Sequence, residues 1–150
     1  MPLPFQPARA ELEALFAEYG DFHRSALNRA AHIAGLPAMF AGAFGLAHAA
    51  SPALAIALLV LFSLANFLVD TRLALAAAAF ATLLWAAGTM LAPIPAAALL
   101  LGGSTIPIAT HVFVERRWPD TAARFARFER VGHLWFLNRL VRAVSTTARA

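Results

Sequence analysis

The sequence predicts an all-α polytopic membrane protein, with four transmembrane helices and a short interfacial helix at each end. Three observations carry this. Of 150 residues, 61% are hydrophobic and only 13% are charged, whereas soluble domains hold about a quarter charged residues. Between Ile33 and Thr110 only Asp70 and Arg72 bear charge, so helices there lack a polar face and must meet lipid or one another. All twelve basic residues are arginines, and eleven of them flank that stretch. The length suits one domain, so residues 1–150 are expected to form a single integral membrane unit. The absence of Cys excludes thiolate metal sites and a disulfide scaffold, and the low charge excludes disorder.

The elements follow in order. Residues 8–23 form an amphipathic helix, with Leu12, Leu15, Phe16 and Tyr19 on one side. The start does not read as a signal peptide: Met1–Pro7 holds no basic residue, and Glu11, Glu13 and Glu18 follow. A first apolar run begins near Ile33 and stops at Ser51-Pro52. A second stops at Asp70-Thr71-Arg72, a third at Pro93 and Pro95, and a fourth begins at Ile94. The expected spans are 33–50, 52–69, 73–91 and 94–114, near the roughly 20 residues that cross a hydrocarbon core. Gly102-Gly103 is expected to loosen the last span, and Pro107 to kink it. In the tail, 121–144 is expected to be an interfacial helix, because Phe125, Phe128, Trp135, Phe136 and Leu140 mix with arginines on every side.

Four crossings place both termini and the Arg72 loop on one side, and with them every arginine; the positive-inside rule makes that side cytoplasmic. The localisation expected is an integral membrane protein with cytoplasmic termini, in the inner membrane if the cell is bacterial. A net charge of +4 suits anionic lipid, and no nucleic-acid-binding signature is present. The expected partners are the bilayer and a lipid or fatty acid.

Four of the five histidines fall on the same side: His23, His32, His111 and His133, with His48 at the opposite end. Such a gathering is what a metal site requires, although interfacial histidines with satisfied hydrogen bonds are also common. His23 and His32 are nine residues apart, about 900° of one helix and therefore opposite faces. They can share an ion only if the helix breaks between them, and Ser25 or Asn28 could cap a new helix. Asn28 and His32 then share a face, as do His111 and Glu115 in the last span. Spacing alone also allows Glu115 to pair with Arg29, Arg116 or Arg117.

His23, Asn28, His32 and Gly35 spell H-x4-N-x3-H-x2-G, and His111, Glu115 and Pro119 spell H-x3-E-x3-P. Tyr19 stands four residues before the first His. Two such blocks around an apolar multi-span middle resemble the small membrane family typified by the fungal 2-hydroxy fatty acid dioxygenase of phytosphingosine breakdown. The chain departs from that pattern at Thr110, at Ser25-Ala26 and at Arg117. The resemblance implies an enzyme that uses Fe2+ and O2 to shorten a 2-hydroxy fatty acid by one carbon. It implies His23, His32 and His111 as iron ligands and Glu115 as a fourth ligand or a base orienting His111. It implies Asn28 as a residue positioning substrate or ligand. Arg29, Arg116 and Arg117 would receive the substrate carboxylate, and the acyl chain would lie among spans one and four. A metal-dependent lipid hydrolase, with the same residues activating water, and a non-catalytic small membrane protein are the alternatives.

Overall fold

The computed structural model describes residues 6–116 and 131–139, and every regular element among them is helical. The first, α1 (Arg9–Phe22), buries Leu12, Phe16 and Tyr19, the face its sequence pattern marks as apolar. It ends at His23, and the chain turns before α2 (Ala26–Ala50). Ser25 is the cap of the new helix: its hydroxyl accepts from Asn28 N at 3.0 Å. The helix thus begins seven residues ahead of the expected first span. Charge marks where apolar character begins, while the cap marks where helical hydrogen bonding begins.

Next come α3 (Pro52–Phe67), α4 (Thr71–Thr89) and α5 (Pro93–Phe113). Pro52 and Pro93 open their helices, where a missing N–H costs nothing. Asp70 caps α4, its carboxylate accepting from Arg72 N and Leu73 N at 2.9 Å each. Three helices, α2, α4 and α5, are long and apolar enough to cross a membrane. At 16 residues, α3 reaches about 24 Å, short of a core of about 30 Å.

Residues 131–139 are helical, and Val131, Leu134, Trp135 and Leu137 are buried there. They share one hydrophobic cluster with Leu12, Phe16 and Tyr19 of α1 and Leu73 and Ala77 of α4. This part of the tail packs on protein, where a face spread on lipid headgroups was expected. The rest of the expected tail helix lies outside the described residues.

The contact that positions the site is the crossing of α2 and α5. A Cβ on Gly35 would stand 2.7 Å from Pro107 Cγ and 2.8 Å from Gly103 O, and one on Gly103 would stand 2.5 Å from Gly35 O. The two backbones touch because neither position carries a side chain. Gly103 is therefore a packing residue, whereas Gly102 has nothing within 4 Å of its would-be Cβ. The close approach brings His32, one turn before Gly35, opposite His111, one turn after Pro107.

Candidate metal centre

His23, His32 and His111 come together as one buried group whose ligand atoms all lie within 4.8 Å of one another. Three separate pieces of chain supply them: the residue after α1, the second turn of α2 and the last turn of α5. The turn between α1 and α2 supplies the break that the nine-residue spacing demands.

Hydrogen bonds fix two of the rings. His23 Nδ1 donates to Tyr19 O at 2.7 Å, and His32 Nδ1 donates to Asn28 O at 2.9 Å. Carbonyl oxygens only accept, so each Nδ1 carries the proton and each Nε2 presents a lone pair. These two Nε2 atoms face one another at 3.2 Å. Two lone pairs at that distance repel unless a proton or cation lies between them. A shared proton is disfavoured, because burial lowers the His23 pKa to about 3, against the Tyr19 carbonyl bond, which raises it. A cation suits the gap: adjacent ligands bound at about 2.0–2.1 Å stand about this far apart. The Tyr19 ring stacks on His23 at 4.1 Å between centroids, holding it in place from below.

His111 is oriented through Asn28, whose side chain is fully buried. Asn28 Nδ2 lies 3.3 Å from His111 Nδ1, 3.2 Å from Glu115 Oε1 and 3.5 Å from Phe22 O, while Thr110 Oγ1 donates to Asn28 Oδ1 at 2.8 Å. With this carboxamide orientation His111 Nδ1 accepts, and its Nε2 holds the proton. An Nδ1–H on His111 would need the carboxamide turned over, which would set its oxygen against Glu115 Oε1 at 3.2 Å. His23 and His32 are therefore the two imidazoles whose Nε2 lone pairs the hydrogen bonds fix.

Glu115 stands outside the three-imidazole group. Its Oε1 accepts from Ser25 N at 2.8 Å and from Asn28, so it steadies the turn and the carboxamide beside His111. Burial pushes its pKa up, but the Ser25 and Asn28 donors and His111 outweigh burial, and the group stays a carboxylate below its ordinary range. Asn28, with both ends of its carboxamide engaged, holds His32 and His111 in position.

The remaining expected residues separate. Arg29 Nη1 donates to the His23 and Arg24 carbonyls, closing the end of α1, and its side chain borders a cavity beside His32. Arg116 is exposed, with φ 52°, and does not border that cavity; Arg117 lies outside the described residues. His133 Nε2 is held by Asn66 Oδ1 at 2.6 Å, in a pair apart from the three imidazoles. His48 is 16 residues along α2 from His32, about 24 Å away. Sequence reasoning missed Thr110 as the Asn28 partner and Arg139 in the cavity lining. The only trace of the latter was its i,i+4 spacing from Trp135, over whose ring its guanidinium sits at 4.8 Å. The cavity is bordered by α2, α3, α4 and 131–139 and by no residue of α5, whereas the acyl chain was expected between the first and last apolar runs.

Comparison with protein-family models, curated proteins and solved structures finds no match to this chain.

Proposed function

We propose that this is an integral membrane enzyme that holds Fe2+ on His23, His32 and His111 and uses O2 to shorten a 2-hydroxy fatty acid by one carbon. The single observation that carries the reading is the pair of Nε2 lone pairs facing each other at 3.2 Å, each with its Nδ1–H tied to a carbonyl. A ferrous ion held by His23, His32 and His111 would supply the site at which a 2-hydroxy carboxylate and O2 could meet. The topology in this reading has four crossings, with α3 the shortest, and places the imidazoles, both termini and every arginine at the cytoplasmic face. A reducing compartment there keeps iron ferrous.

The chain's own residues do the positioning. The Tyr19 and Asn28 carbonyls fix the tautomers of His23 and His32. Asn28 and Thr110 aim His111, and Glu115 holds Asn28 and the turn at Ser25. Burial of all three rings, which are 3–9% exposed, keeps bulk water from the ligand nitrogens. Arg29, at the edge of the adjoining cavity, offers charge-assisted donors to a carboxylate.

The test is metal analysis of the membrane protein purified without oxygen, followed by O2 uptake on 2-hydroxypalmitate. Iron with substrate-dependent O2 consumption supports the reading. Zinc with lipid hydrolysis and no O2 uptake makes the protein a hydrolase. Protein that binds no metal ends both.

A further inference from the structure

Along the face of α2 turned from α5 runs a cavity of about 500 Å3. Its polar groups are unevenly placed. Arg29 and His32 border it in the first two turns of α2, and Arg139 borders it from the tail segment. Further along, the walls are Leu36, Phe40, Phe62, Phe80 and Leu84. His133 also lines this part, but its Nε2 is taken by Asn66, and its ring packs on Phe62 at 5.0 Å between centroids.

The inner end can be located. A Cβ on Gly88 would meet Ala41 O and Gly45 N, and the short turns that join α2 to α3 and α3 to α4 reverse the chain twice, so α2 and α4 run side by side in the same direction. Leu84, one turn before Gly88, is then level with Phe40. Phe40 meets Phe62 edge to face at 5.0 Å, and with Leu84 these two rings form the apolar lining farthest along α2 from Arg29. From Arg29 to Phe40 is eleven residues, about 16 Å of helix. The space is thus an apolar slot whose lining includes two guanidinium groups, with an imidazole of the metal group in its wall. Arg29 uses Nη1 on carbonyls and has its other guanidinium donors for an anion.

We infer that this slot holds the acyl chain of the substrate, carboxylate toward Arg29 and Arg139, and that Phe40, Phe62 and Leu84 set the chain length accepted. The inference rests on the proposed reading in one respect: His32 belongs to both the imidazole group and the slot, so the reacting end lies beside the metal ligands.

Two measurements on the full chain in lipid nanodiscs test it. A 2-hydroxyhexadecanoic acid with a diazirine at its methyl end is bound without oxygen and photolysed. The label is expected on peptides containing Phe40, Phe62 or Leu84; label confined to lipid-facing Leu61 and Leu101 would overturn the assignment. In competition against that probe, 2-hydroxy acids of twelve, sixteen and twenty carbons are ranked for Leu84→Trp and Phe40→Ala. Leu84→Trp should shift the twelve-to-sixteen preference toward the shorter acid, and Phe40→Ala the sixteen-to-twenty preference toward the longer, each by about tenfold. Metal content reports that each variant is folded. Unmoved preferences in folded variants that still oxidise 2-hydroxypalmitate would sink the slot and spare the enzyme reading. Shifted preferences in protein that consumes no O2 would do the reverse.

Discussion

At the N-terminal end of α2, His32 has its Nδ1–H held by the Asn28 carbonyl at 2.9 Å; at the far end of the same helix, His48 Nδ1 is buried with no hydrogen-bond partner among the described residues. Both are histidines on one long apolar helix. His32 is surrounded by groups that fix its tautomer, aim its free nitrogen and set a second imidazole against it. His48 has none of these. An imidazole becomes a ligand when its second nitrogen is restrained and its first is opposed by others, and only one end of the helix meets both conditions.

Mutations can break that contrast or sharpen it. The largest effect is expected from His32→Ala and His111→Ala, each of which should reduce bound metal to background by elemental analysis, while His48→Ala leaves the content at the parental level. Metal loss in His48→Ala, or retention in both of the others, would place the site elsewhere. Asn28→Ala comes next. It removes the carboxamide facing His111 and leaves Thr110 and Glu115 without their common partner, so metal affinity should fall about 10–100-fold in a competitive chelator titration. Glu115→Gln keeps the shape and still accepts from Ser25 N. Its cost in the same titration should stay below about tenfold, and a complete loss would make Glu115 a ligand. The smallest effect belongs to Ser25→Ala, which deletes the α2 cap and should cost about 1 kcal/mol of stability, read as a small drop in Tm with metal still bound.

Much of the site was legible as sequence. The three imidazoles stand in two blocks of fixed spacing, and the need for a helix break between His23 and His32 follows from counting residues per turn. Ser25 was one of two possible caps, and its bond to Asn28 N decides between them. Glu115 was less legible: on spacing alone a carboxylate at i,i+4 from His111 reads first as the ion-pair partner of an arginine and only then as a ligand. In the fold it accepts from the Ser25 and Asn28 donors, because the α1–α2 turn packs against the end of α5. Gly103 was misread as a source of slack, since a glycine that admits a neighbouring backbone looks the same in sequence as one that weakens a helix. The slot was invisible because its walls come from four pieces of chain and share no periodicity.

The sequence by itself determined that the chain is helical and carries helices long and apolar enough to cross a membrane, since scarce charge in long apolar runs leaves those helices no polar face. It also determined where the helices stop, because Pro, Asp and Ser act locally on backbone hydrogen bonds. Tertiary structure alone decided which histidines meet, which side of α2 is polar and which is hollow, and that the tail packs on α1. Those outcomes depend on the backbone approach at Gly35 and Gly103 and on side chains far apart in the chain, and such contacts exist only once the helices have docked.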